Sequence, residues 1–283
     1  MKVLIAYDGS IYSEIAVSDL ERAGLPPDTH AMVISVVDPR DWMKRLPAAE
    51  QSAEEACNRL QGIFPGWTVQ LESPAGHPAS IILDRAKTYH ADLIVVGTHG
   101  RTGVGRFVLG SVSTAITRDA TCSVRVARAD SGLRGGPLRI LIGNDGSAES
   151  EIAVREVCGR SWPAGSEARV VAVVEEFAGA HVERVMHAPG YYSEVSVQEH
   201  HWLDNVVDES VQQLSRAGLK VSSVVEDGDA KETLIYEGRT WKADCIFVGG
   251  CGLGQLERFL LGSVSATIVT KASCTVEVVR RHP

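Results

Sequence analysis

The sequence predicts an α/β protein of two tandem doubly wound domains, each on an open parallel five-stranded sheet, and three observations carry that prediction. The chain has 283 residues, too many for one such unit and enough for two that each bury a core. It also repeats itself. Val3-Leu-Ile-Ala-Tyr-Asp8-Gly9-Ser10 is answered by Ile140-Leu-Ile-Gly-Asn-Asp145-Gly146-Ser147. Phe107-Val-Leu-Gly110-Ser111-Val-Ser113 is answered by Phe259-Leu-Leu-Gly262-Ser263-Val-Ser265, and Cys122-Ser-Val-Arg-Val by Cys274-Thr-Val-Glu-Val, in the same order. Within each copy, short apolar runs alternate with segments of helical period, as right-handed β-α-β crossovers require.

In the first copy, the apolar run Val3 to Tyr7 reads as a strand. Ser10 can cap the helix after it, which sets Ile15, Ala16 and Leu20 on one face. Ala31 to Val37 reads as a second strand, Ala48 to Ile63 as a helix, Thr68 to Glu72 as a third strand and Ala79 to Tyr89 as a helix. Leu93 to Val96 is wholly apolar and rich in β-branched residues, the pattern of a central strand covered on both faces. A glycine-rich loop, a helix from Ser111 and a strand from Ser123 to Val126 complete the copy. Corresponding residues lie 137 apart at Asp8 and Asp145 but 152 apart at Gly97 and Gly249, so the second copy is longer by about 15 residues, most simply within Glu175 to Asp204. The glycines and proline between Asp130 and Pro137 suit a linker. The expected domains are therefore 1–130 and 138–283, joined by 131–137.

Composition narrows the function. A net charge of −8, with the basic residues scattered, argues against nonspecific nucleic-acid binding. The first apolar run is stopped by Asp8, short of a signal-peptide core, and no stretch of about 18 apolar residues occurs, so a cytoplasmic protein with no membrane span is expected. The six cysteines form no C-x-x-C pair, which points to reduced thiols.

The chemistry concentrates in two loops. Gly97-Thr-His-Gly100 leads to Gly110-Ser111, and Gly249-Gly-Cys-Gly252 leads to Gly262-Ser263; both read G-x2-G-x9-G-S. Glycines let main-chain N–H groups approach an anion closely, and a Gly-Ser helix start adds free donors and the positive end of the helix dipole. Asp8 and Asp145, ending the first strand of each copy, would lie beside these loops if strands one and four are neighbours, where a carboxylate can hold a ribose hydroxyl or a phosphate-bound Mg²⁺. The chain has no Walker lysine motif and no G-x-G-x-x-G at the first strand, which disfavours P-loop and dinucleotide chemistry.

With D-G-S after strand one and G-x2-G-x9-G-S after strand four in both halves, the chain resembles a tandem universal stress protein. The resemblance implies the strand order 3-2-1-4-5, the binding of ATP, with or without Mg²⁺, and a regulatory role in stress response. Matched by position, Asp8, Val36, Gly97, His99, Gly100, Gly110, Ser111 and Ser113 would form one site, with Val36 against adenine. Asp145, Val173, Gly249, Gly252, Gly262, Ser263 and Ser265 would form the other, and Asp8 and Asp145 would reach any nucleotide-bound Mg²⁺. The resemblance also implies that the final strands, Ser123 to Val126 and Thr275 to Val279, bring the copies together as an intrachain pseudo-dimer. A homodimer of whole chains and a regulatory protein partner are further expectations. Two other readings stand beside this one: a slow ATPase or phosphotransferase using the same loops, and an interaction scaffold that binds no nucleotide.

Two clusters have plainer explanations. His181, His187, His200 and His201, with Glu183, Glu194 and Glu199, match no familiar metal-ligand spacing and read as a solvated insertion. Cys122 and Cys274 read as small buried hydrophobes, while Cys251, inside the second loop, is the better candidate for a reactive thiol.

Overall fold

The computed structural model describes residues 1–99, 109–128, 136–175, 191–251 and 261–281, less the side chains of residues 41–45 and 191–199. The first half forms β1 (Lys2–Ala6), α1 (Ile11–Asp19), β2 (His30–Ile34), α2 (Trp42–Ile63), β3 (Thr68–Glu72), α3 (Pro78–Tyr89), β4 (Leu93–Gly97), α4 (Ser111–Asp119) and β5 (Ser123–Ala127). The second half repeats the series as β6 (Arg139–Gly143), α5 (Ala148–Cys158), β7 (Glu167–Val174), α6 (Tyr191–Arg216), β8 (Lys220–Asp227), α7 (Ala230–Thr240), β9 (Cys245–Gly249), α8 (Ser263–Lys271) and β10 (Thr275–Val279).

The strands join into one sheet ordered β3-β2-β1-β4-β5-β10-β9-β6-β7-β8, so each half has the order 3-2-1-4-5. Every pairing within a half is parallel; the junction of β5 with β10 is antiparallel. Period-two alternation then sorts the core. Ile94 and Val96 of β4, with Val124 and Val126 of β5 and Val276 and Val278 of β10, belong to one apolar layer that runs unbroken through both halves. Helices α3, α4, α7 and α8 cover it through Ile82, Ile116, Leu234 and Ile268. On the opposite face the apolar layer is divided. Leu93 and Val95 pack with Val17 of α1 and Leu60 of α2, whereas Phe247 packs with Val154 of α5 and Val207 of α6.

The gap between those two layers is filled by charge. Arg125 of β5 and Glu277 of β10 are cross-strand partners, 1% and 0% exposed, bonded Nη1 to Oε2 at 3.0 Å. Asp19 at the end of α1 takes the Arg125 Nε–H at 2.5 Å, and Arg160, just after α5, grips Glu277 with two nitrogens while donating to the Ala23 carbonyl at 3.0 Å. Burial pushes the Glu277 carboxyl up, but Arg160 and Arg125 outweigh it and hold the group below the ordinary glutamate range.

α2 differs from expectation by starting at Trp42 rather than Ala48. Pro47 falls in the second turn, where its missing N–H removes one early helical bond without ending the helix. Among the described residues no helix is long and apolar enough to cross a membrane. His200 is paired with Asp227 at 2.8 Å, no cluster suited to a metal ion occurs among the described residues, and His181 and His187 lie outside them. Burial pushes the Cys122 thiol up to about 11, as suits a core residue, and the same cause takes Cys245 to about 12.

Candidate functional site

In each half the chain leaves the first strand and the fourth strand in opposite lateral directions, which opens a crevice beyond their carboxyl ends. β1 and β4 are direct neighbours, in register from Val3 with Leu93 to Ile5 with Val95, so Asp8 and His99 emerge at the same end. A pocket of about 110 Å³ lies at that switch point. Ile34, Val36, Pro78 and Ile82 give it an apolar side, and Asp8, His99 and Ser113 bring polar groups to it. The balance of one apolar wall with a few converging polar groups suits a planar heterocycle carrying a charged tail.

Local sequence explains how these groups are held. The turn after β1 takes Gly9 to φ +73°, a conformation that favours glycine, and the next residue, Ser10, caps α1 by accepting from the Ser13 N–H at 3.3 Å. The Asp8 carboxylate accepts from the Ser10 N–H at 3.0 Å, which orients it; Asp145 does the same with the Ser147 N–H at 3.0 Å. α4 and α8 begin differently. Their caps are Gly110 and Gly262, which have no side chain to offer the first-turn N–H groups, and among the described residues no side-chain cap is made, so each helix start keeps the positive end of its dipole. Ser113 and Ser265 donate their hydroxyls to the Gly97 and Gly249 carbonyls at 2.7 and 2.5 Å, so they tie each helix start to the end of its strand. Ser111 and Ser263 are exposed at the same helix starts. Gly100 and Gly252, with Arg101 and Arg106, lie outside the described residues.

His99 stands out. It is 8% exposed and lines the pocket, its ring lies 5.0 Å from that of Tyr12, and neither ring nitrogen has a hydrogen-bond partner among the described residues. A buried imidazole with both nitrogens unpaired is costly, and a polar ligand group at this position would relieve the cost.

The second half keeps the backbone plan and changes the side chains. Asn144 replaces Tyr7, and it is tied down by Ser210, Ser150 and the Gly146 N–H at 2.9, 2.7 and 2.9 Å. Trp202 of α6 lies over Gly146, where a Cβ would sit 2.6 Å from its Cζ2. Val173 falls within β7, whereas its counterpart Val36 follows the end of β2. Cys251 stands where His99 does and is partly exposed. Tyr7, Pro78 and Ile82 were not singled out by sequence. Tyr7 hydrogen-bonds Glu14, which also pairs with Arg59; burial, then Glu14, raises its hydroxyl pKa, so it stays a neutral donor.

Comparison with known proteins points to one family. A model described as the universal stress protein family matches residues 1–128 and again 138–280. A universal stress protein of Mycolicibacterium smegmatis is 26% identical, with 98% of this chain and 96% of that one covered. Another, from Methanocaldococcus jannaschii, is 32% identical over 139 residues, which are 45% of this chain and 81% of its own. Among solved structures, a universal stress protein from Archaeoglobus fulgidus shares the fold at a TM-score of 0.67 and 18% identity, with 99% of this chain and 96% of that one covered.

Proposed function

The chain belongs to the universal stress protein family, and from that premise we propose that it is a cytoplasmic regulatory module that binds an adenine nucleotide, ATP foremost, at its switch points. One observation carries this reading: the imidazole of His99, buried in a pocket beside the glycine-capped N-terminus of α4, with neither ring nitrogen hydrogen-bonded among the described residues. Adenine would lie on the apolar side formed by Ile34, Val36 and Ile82. The phosphates would face the main-chain donors that start α4, and Asp8 would hold a ribose hydroxyl or a nucleotide-bound Mg²⁺. Occupancy would then bias which regulatory partner the protein engages.

The test is calorimetric and direct. ATP at about 100 times its Kd should stabilise the protein by about 2.7 kcal/mol, raising Tm by several degrees, and native mass spectrometry should count the bound nucleotides. No shift with ATP, ADP, AMP or cyclic AMP sinks the proposal.

The two sites are expected to differ. In the repeat His99 aligns with Cys251 and Arg101 with Leu253, so the first copy has more groups able to meet a polar or anionic ligand. Affinity at the first site should be tighter by about tenfold or more. Measured separately, Gly100→Asp should remove the tight component and Gly252→Asp the weak one; equal losses from both would refute the difference.

A further inference from the structure

We propose that the buried charges between β5 and β10 make the two halves recognise each other as unlike partners, so that each edge strand accepts the other and rejects a second copy of itself. Val124 pairs with Val278, Arg125 with Glu277 and Val126 with Val276, so a local twofold passes between Arg125 and Glu277, which hold the same place in the two repeats. Two pairs of contacts at the junction obey that twofold. The Arg128 N–H donates to Thr275 Oγ1 and the Arg280 N–H to Ser123 Oγ, both at 3.1 Å. The Arg128 guanidinium reaches the Val269 carbonyl near the end of α8, and that of Arg280 reaches the Thr117 carbonyl near the end of α4 at 2.5 Å.

Those contacts, like the flanking valines, would be available equally to two first halves or two second halves. The charged residues break the equivalence. Across the gap they run Asp19, Arg125, Glu277, Arg160, alternating in sign, with three direct ion pairs. Two first halves paired by the same twofold would run Asp19, Arg125, Arg125, Asp19, and two second halves would run Arg160, Glu277, Glu277, Arg160. Either arrangement sets like charges opposite each other at a buried central position, where water cannot screen them. The edge exposed by one half is thus built against the self-pairing that an uncovered, valine-rich strand invites.

The test separates this selection from the tether, which alone favours pairing within a chain. A protease site is placed within residues 129–135 of the full chain, the folded protein is cut, and the halves, which differ in mass, are followed by native mass spectrometry through dilution and reconcentration. Unlike pairs should exceed like pairs by about tenfold or more. Asp19→Arg with Arg125→Glu keeps the net charge but reverses the order of charges in the first half, and should abolish that excess. So should an apolar set, Asp19→Ala, Arg125→Leu, Arg160→Met and Glu277→Leu, which removes the charges while filling the gap. Like pairs as abundant as unlike ones in the cut parent, halves that separate and stay single, or an undiminished excess in either variant that folds would overturn the proposal.

Discussion

Removing the Glu277 carboxylate is expected to destabilise the protein by about 3–5 kcal/mol, a fall in Tm of roughly 10 °C. The cost comes from what remains. Glu277→Ala leaves Arg125 with Asp19 alone and Arg160 with Glu156, 3.7 Å away, while both guanidiniums stay buried. Burial disfavours each charge, and only a partner in the same gap offsets that. The same group sets an acid limit. Because its folded pKa is depressed, its stabilisation is complete above the ordinary glutamate value of 4.5 and is lost as pH falls through the lower folded value. Glu277→Gln should therefore lose part of the parent's pH dependence in this acid range while keeping part of the hydrogen bonding. Equal acid sensitivity in the parent and the glutamine variant, followed by thermal denaturation between pH 3 and 6, would place the linkage elsewhere.

That charge set also marks the limit of what the sequence made legible. The apolar runs located the central strands because burial on both faces demands continuous hydrophobicity, and Leu93 to Val96 could serve little else. The repeat located both candidate sites, since Asp8 and Asp145 recur at one place in the plan and share one backbone geometry. The strand order came from family resemblance, because hydrophobic period carries no information on which strands are neighbours. Arg125 and Glu277, by contrast, look like the solvent-facing members of alternating edge strands. Their burial depends on the junction itself, which no local pattern encodes. The signal was present only in the comparison of Ser-Val-Arg-Val with Thr-Val-Glu-Val, equivalent positions of opposite charge. His99 was found as a loop residue, but its burial, with neither nitrogen hydrogen-bonded among the described residues, depends on how Tyr12 and the surrounding strand ends close over it.

The second large effect is expected at the end of β4, where a single methyl group should damage both fold and site. Gly97 meets the first turn of α1 so closely that a Cβ would fall 2.7 Å from the Tyr12 carbonyl carbon and 3.0 Å from its Cβ. Backbone cannot swing aside as a side chain can, so Gly97→Ala must push α1 away from the sheet. α1 carries the Ser10 cap, the turn that orients Asp8, and the Tyr12 ring over His99, so the displacement opens the first site as it strains the core. A cost of about 2–3 kcal/mol is expected, together with loss of the tighter nucleotide-binding component. The equivalent Gly249 provides the control. A Cβ there would stand 2.9 Å from the Glu149 Cβ and 3.0 Å from the Ser150 nitrogen, a milder intrusion at the start of α5. Gly249→Ala should accordingly cost about 1 kcal/mol and leave the first site intact. The order of the two variants, by urea denaturation and nucleotide titration, is the discriminating result. If Gly249→Ala is the more damaging, the close approach of α1 to β4 does not govern the first site.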